Sequence, residues 1–381
     1  MRKLIVMGAV LIVGGAVAPA MAQDTVLNVA TAGSENMVDY VTDYLGPLFE
    51  ETHPGVRVNV VGTGPGDAGS QAIYEKLSAQ AAAGVEAWDI DVAVVHQKMG
   101  GTLVQEGLLA SYRDDAETGQ YVTSAAADNA LGTDVSGYVI PMFHSQTAIA
   151  YNPLLISEAP NSYDELIDWS AANPGQFGYN GIKGGMSGIS FYMGWLYAMT
   201  GDAEQMMAGP YDASLVEGWG DALAALRDFN QNVTFTPGNA GTLDMLNRGE
   251  IAMGPVWVDM FYTWQADGRL SPDIRLNLIA PGMPGQPMYY VMPDQAANQD
   301  LALEFIELAT SPQVQAEGIV QRFNWYPGID ASFIEDYMSA DAWDKLFADV
   351  TPADLAAKGK TFPIADFFDL ALETYEREVA Q

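Results

Sequence analysis

Residues 26–66 read VLNVATAGSENMVDYVTDYLGPLFEETHPGVRVNVVGTGPG, and the fold follows from their rhythm. Val26–Ala30 is a short apolar run suited to a strand. Thr31–Asn36 is a polar Gly/Ser turn able to cap a helix over Met37–Thr52, where Leu45, Leu48 and Phe49 recur at helical spacing. His53-Pro54-Gly55 ends that helix, and Val56–Val61 is a second strand, nearly continuous in β-branched residues. Gly62-Thr63-Gly64-Pro65-Gly66 is a loop, Ser70–Ala83 an Ala-rich helix and Ile90–Val95 a third strand. Strands alternating with helices through short Gly-rich turns predict a mostly parallel sheet covered on both faces. Ligands bind at the carboxyl ends of such strands. The turns at 31–36, 62–66 and 96–100 lie there, which makes Ser34, Glu35, Gly64 and His96 candidate ligand residues.

Upstream, Arg2 and Lys3 precede an apolar run, Leu4 to Val17, softened by Gly8, Gly14 and Gly15. Ala20-Met21-Ala22 follows as an A-x-A cleavage site, so residues 1–22 read as a signal peptide with Gln23 starting the exported chain. The run is shorter than the roughly 20 residues that span a bilayer. Cysteine is absent, which excludes disulfides, thiolate zinc sites, thiol nucleophiles and lipid attachment through an N-terminal Cys. A freely diffusing periplasmic protein of a Gram-negative cell is expected. The 381 residues exceed what one hydrophobic core organises, so two domains are the default. Sixteen Lys and Arg face 49 Asp and Glu, a net charge of −33. Phosphate backbones and anionic lipids would be repelled, which argues against nucleic-acid binding. The acids are scattered rather than blocked, as in a protein of a saline habitat.

Downstream, Tyr138–Asn152 is an extended apolar stretch broken by Pro141 and by Phe143-His144-Ser145-Gln146. Helices are expected near 162–173, 188–200, 214–231, 241–248, 298–310, 312–321, 331–348 and 365–379, with short strands at 251–256, 275–279 and 288–292.

Three segments together resemble the extracellular solute-binding proteins that feed ABC importers, the superfamily of maltose-, polyamine- and iron-binding proteins. Leu243–Met253 (LDMLNRGEIAM) is similar to that family's L-x-x-G-E-x-A-M stretch ahead of a strand ending in Trp257. Asn298–Gly318, with Phe305 and Ser311-Pro312-Gln313-Val314-Gln315, is similar to its helix pair, and Val139–Asn152 to its first crossover strand. The segment from Pro160 to Phe191 looks closest to a subgroup assigned to thiamine uptake. The resemblance implies an α/β, two-lobe periplasmic binding protein fold (type II), each lobe a mostly parallel sheet flanked by helices, with the ligand cleft between. Crossings are then expected near 141–146, 288–292 and 323–328. The lobes become 23–142 plus 293–324 and 143–292 plus 325–381. The implied partners are a small-molecule ligand and the permease subunits of an inner-membrane ABC transporter, the binding protein itself being a monomer.

Within that frame, Lys183-Gly184-Gly185-Met186-Ser187-Gly188 precedes an apolar helix. Its glycines would let backbone N–H groups approach a ligand, Ser187 could cap the helix, and Lys183 would add charge where the helix dipole favours an anion. An ordinary Gly-rich turn with Lys183 in water is the alternative. Trp257 stands where the family has a cleft aromatic, with Asp259 two residues on. An indole face stacks on a sugar ring or a cation, and the carboxylate would bond a hydroxyl or an ammonium. A core Trp with a surface acid is the plainer reading. Tyr289-Tyr290 and Trp325-Tyr326 lie at crossings, where adjacent strand residues face opposite ways, so one of each pair can reach the cleft. Tyr289 and Trp325 are the candidates. The tandem Tyr also resembles that of ferric-binding members, but with only His53, His96 and His144 available the iron ligand set is poor. His144 and Gln146 interrupt the first crossover as cleft contacts or hinge hydrogen-bonders.

No G-x-S-x-G, H-E-x-x-H or P-loop pattern occurs, so a secreted hydrolase or lyase is the weaker class and no cofactor is expected. The reading is non-covalent capture of a sugar- or polyol-like solute, with Lys183 leaving room for an anionic group. An organic cation of thiamine or polyamine type is the alternative.

Overall fold

The structure, a computed structural model, describes residues 25–380 apart from 34, 65 and 124, without the side chains of 66, 67, 125, 126, 352 and 356. The expected signal peptide and Ser34 lie outside the described residues. The strand Thr25–Ala32 pairs in parallel with Val56–Gly64 on one side and Val92–His96 on the other. Helix Gly66–Ala82 connects the second of these to the third. The third is buried at every position, as a continuous apolar run between two helical layers requires. Between the first two strands the expected single helix is three turns of different pitch, Glu35–Tyr40, a π-type turn Val41–Leu45, and Gly46–Thr52. The wider turn lies just before Gly46-Pro47, where proline supplies no backbone donor.

Four further strands complete this first sheet. Pro284–Val291 pairs with Val92–His96 and along its length with Val139–Ser145, which also pairs with Tyr326–Pro327. The order across the sheet is 326–327, 139–145, 284–291, 92–96, 25–32, 56–64, with Lys360–Thr361 joining the start of 284–291. The second sheet runs 275–277, 147–151, 253–257, 177–179, 233–235. Its strands Phe177–Tyr179 and Val233–Phe235 were not anticipated, because three-residue strands carry too little alternation to register.

Sheet membership changes at Gln146 and again between Asn277 and Pro284; after Pro327 the one further strand, Lys360–Thr361, returns to the first sheet. The second change precedes 284 because Pro284–Val291 is bonded into the first sheet throughout.

Two cores result. Leu27, Val29, Val92, Val94, Ile140, Val291, Phe305 and Ile306 exemplify the first, largely aliphatic, which runs on through Ala150, Leu243, Val256 and Leu276 along the second sheet. The second is aromatic: Tyr163, Phe177, Tyr179, Phe191, Trp195, Trp219, Phe229 and Phe367 pack around helix Met186–Thr200, whose first twelve residues are all buried. An all-round apolar helix of this kind sits between layers rather than on a surface. Among the described residues, no helix is long and apolar enough to cross a membrane.

Candidate functional site

Strand register brings the carboxyl ends of both sheets together. Ser145 is opposite Gln286 and His96 opposite Met288 in the first sheet; Trp257 is opposite Thr147 in the second. The chain passes from one sheet to the other through Gln146 alone, so the ends of strands 92–96 and 253–257 converge on this crossing.

Hydrogen bonds fix the crossing. The Gln146 side-chain amide donates to Met283 O at 2.7 Å and to Thr147 O at 3.0 Å, and the Gln146 backbone carbonyl accepts from Val258 N at 2.9 Å. The Thr147 and Ser190 hydroxyls bond each other and both reach Pro284 O at 2.7 Å. Gln146 is thus occupied in joining the two outgoing strands, and its side chain is buried.

On the second-lobe side, Asp259 lies in the first turn of helix Val258–Ala266 and accepts a hydrogen bond from the Ser145 hydroxyl. Burial pushes its carboxyl above the ordinary carboxylate range, opposed by Ser145 and by the N–H groups of Asp259 and Met260. No Lys or Arg is among the groups acting on it. Trp257, immediately before this helix, is 8 % exposed and belongs to the aromatic core.

The loop 180–188 packs more tightly than a capped turn. Asn239 Oδ1 accepts from the Ser187 hydroxyl at 2.7 Å and from Asn180 Nδ2 at 2.8 Å. The helix begins at Met186 with Gly185 as its N-cap, so the cap expected from Ser187 does not form; Ser187 is inside the first turn and wholly buried. Gly185 has φ +142°, a region L side chains rarely adopt, and a Cβ at Gly188 would lie 1.8 Å from Gly181 O. The glycines serve backbone packing against Asn180–Gly181. Lys183 projects outward, its side chain 76 % exposed and 3.3 Å from Glu376. It flanks a cavity of about 580 Å³ that also touches Arg227, Phe235 and Tyr375.

On the first-lobe side, His96 is buried. Its Nδ1 lies 2.9 Å from Ser70 Oγ, which accepts the His96 backbone N–H at 3.0 Å. Glu35 opens its helix in an exposed position. Gly64 ends its strand at φ +107°, and its carbonyl accepts from Gly33 N at 2.9 Å. His144 is half-buried beside Tyr326, and burial holds its imidazole down at about 4 against the opposing pull of Asp330.

The crossing aromatics go inward. Tyr289 is fully buried with its ring on Gly100, and its hydroxyl faces the Gln97 amide without closing a normal hydrogen bond. Trp325, 1 % exposed, stacks on Phe143 at 4.5 Å, and Tyr326 stacks on Phe347 at 5.2 Å. Among the described residues no group of three His, Cys, Asp or Glu comes together to hold a metal.

The structure thus gathers Ser145, Gln146, Trp257 and Asp259 at one crossing, with His96 at the end of the adjacent first-sheet strand. Lys183 stands apart on the surface, and Tyr289 and Trp325 lie within the packing. Sequence reasoning missed Asn180, Asn239 and Ser70. Asn239 follows Pro237-Gly238 at a helix start, a signal that was available; nothing local marks Ser70 as the partner of His96.

The profile of the bacterial extracellular solute-binding proteins matches residues 48–342. No curated protein matches the chain in sequence. Solved structures match its fold along nearly its whole length. A Thermotoga lettingae ABC-transporter solute-binding protein bound with α-D-tagatose is 17 % identical, with 93 % of this chain and 94 % of that one covered and a TM-score of 0.70. Iron-bound HitA from Pseudomonas aeruginosa is 18 % identical over 94 % and 100 %, TM-score 0.65. A putative spermidine/putrescine ABC transporter from Listeria monocytogenes is 15 % identical over 92 % and 99 %, TM-score 0.64. These likenesses show the two-lobe periplasmic binding protein fold. The chain belongs to the bacterial extracellular solute-binding proteins, whose work is to bind solutes outside the cytoplasm.

Proposed function

We propose that the solute is a small polyhydroxylated compound of sugar or polyol type, held between the lobes where the strand ends converge on Gln146. The observation that carries this reading is the chemistry around Asp259. Its carboxyl is buried, is engaged by a hydroxyl and by helix N-terminal N–H groups, and has no Lys or Arg among the groups acting on it. The backbone donors already support the charge, and a lone pair left over suits a ligand hydroxyl. Trp257, two residues before it and 8 % exposed, would have to turn part of its ring toward the cleft to stack on a sugar. Of the other polar groups near the strand ends, Ser70, Ser145 and Gln97 are neutral, while Glu35 is an exposed acid at its helix start.

The same buried carboxyl favours one second reading, an organic cation paired with Asp259 and bounded by Trp257. Mass spectrometry of the compound released when natively purified protein is denatured separates the two. A neutral polyhydroxylated compound is expected; an amine or quaternary nitrogen compound would replace this reading with the second. In either case we propose that residues 1–22 are removed on export. Amino-terminal sequencing of the periplasmic protein should start at Gln23, and an intact Met1 would refute processing.

A further inference from the structure

We infer that Lys98 and the turn at Leu131 form a latch that holds the first lobe closed against the carboxyl-terminal helix of the second. The turn belongs to the hairpin Asn129–Ala130/Thr133–Asp134, which is fastened to helix Gln97–Gln105 of the first lobe. Gln97 Nε2 donates to Asn129 O at 3.2 Å and Gln105 Nε2 to Thr133 Oγ1 at 2.6 Å. Yet Leu131 itself is 6 % exposed and packs in the aromatic core of the second lobe. Its carbonyl accepts the N–H of Ala365, the first residue of helix Ala365–Glu378, at 2.9 Å. That helix is anchored in the second lobe through Ala371 O, which accepts from Tyr192 Oη, and through Tyr375 Oη, 2.9 Å from Tyr179 Oη.

Two further features converge on this contact. Leu131 has φ +52°, an uncommon conformation for a residue with a Cβ, kept only where the surroundings over-determine it. One turn of helix away, Lys98 Nζ pairs with Asp369 and lies 5.3 Å from the centre of the Phe368 ring. Lys98 is one of six lysines after Lys3, in a chain of net charge −33, and it bridges residues 271 positions apart. The ion pair is half-exposed and weak by itself. The buried Leu131 side chain is the stronger part, and the charge pair sets the register in which it seats.

The Leu131–Ala365 hydrogen bond and the Lys98–Asp369 pair run directly from lobe to lobe, and neither involves Gln146, Trp257 or Asp259. The latch therefore biases the hinge in its own right: weakening it lowers the closed fraction, and with it the apparent affinity for any solute that needs closure. This rests on the two-lobe fold and is independent of which solute is bound.

Small-angle scattering of the processed protein, unfolded and refolded to strip any co-purifying compound, reads the closed fraction directly. Lys98→Glu and Leu131→Ala should each increase the radius of gyration, and Lys98→Glu with Asp369→Lys should bring it back toward the native value. Circular dichroism confirms that each variant is folded. Should Leu131→Ala fail to fold, the Lys98→Glu variant and its charge-swapped partner still decide. Folded variants that keep the native radius, or a swap that leaves Lys98→Glu expanded, would overturn the latch.

Discussion

In the second lobe the Tyr179 hydroxyl lies 2.8 Å from Asn230 Oδ1 and 2.9 Å from that of Tyr375, the Tyr192 hydroxyl bonds Ala371 O, and that of Tyr197 bonds Thr361 O. In the first-sheet strand 284–291 and in and beside strand 326–327, the hydroxyls of Tyr289, Tyr290 and Tyr326 and the indole N–H of Trp325 are equally buried but lack a hydrogen-bond partner among the described residues. Trp219 Nε1, Ser170 Oγ and Tyr262 Oη are the second lobe's exceptions among the described residues. A buried polar atom without a partner costs stability, and native structures keep such atoms where something besides stability is at stake. The aromatic lobe is built as a satisfied, rigid body. These first-sheet strands tolerate unsatisfied groups.

That contrast breaks most clearly at Trp195, fully buried and donating to Ala222 O at 2.9 Å. Trp195→Ala should cost about 3–5 kcal/mol in chemical denaturation through the cavity it leaves. A loss below about 1 kcal/mol would mean the aromatic lobe is not the rigid body described.

Trp257→Ala tests the boundary between the two regions. If the ring meets the solute, calorimetric titration with the co-purifying compound should show affinity falling by about 2–4 kcal/mol, roughly 30- to 1000-fold. Unchanged affinity together with a large loss of stability would assign Trp257 wholly to the core.

His144 offers a pH test at the first crossing. Its folded pKa of about 4 lies below the ordinary 6.5, so the unfolded chain takes up the proton first. The native advantage is complete above about pH 6.5 and is lost as pH falls toward 4, by roughly 2–3 kcal/mol. Asp259 and Asp349, both raised by burial, push the opposite way as they protonate more readily in the folded state. The comparison is therefore His144→Gln against the native chain, and denaturation curves between pH 4 and 7 should be flatter for the variant. Parallel curves would remove His144 from the account.

The finest test exchanges single hydroxyls. Tyr179→Phe should destabilise by about 1 kcal/mol, because it strips a partner from Asn230 and Tyr375. Tyr326→Phe and Tyr290→Phe should be neutral or slightly stabilising, since nothing is lost but an unsatisfied group. Equal costs at all three positions would erase the distinction between the second lobe and these first-sheet strands.

The opening strand–helix–strand rhythm was legible because it is local. Val26–Ala30, Val56–Val61 and Ile90–Val95 differ from the observed Thr25–Ala32, Val56–Gly64 and Val92–His96 only at their ends. The helices 163–172, 186–200 and 365–378 also stand close to expectation, since apolar spacing over ten or more residues is a strong signal. The first crossover was visible too, in the polar break His144-Ser145-Gln146 inside an apolar run.

What no stretch of sequence contained was partnership at a distance. Ser187 reads locally as a helix cap, yet its hydroxyl is drawn inward by Asn239, 52 residues on. Lys183 reads as a ligand cation because it neighbours a Gly-rich helix start, but the loop turns its side chain outward toward Glu376. Ser145 meets Asp259 across 114 positions, and Lys98 meets Asp369 across 271. Sequence by itself determined the alternating elements, the two-domain size and the family, because periodicity and composition act over a few turns of chain. The tertiary structure alone decided which polar groups face each other, because side-chain direction and strand register are set by packing between segments far apart in sequence.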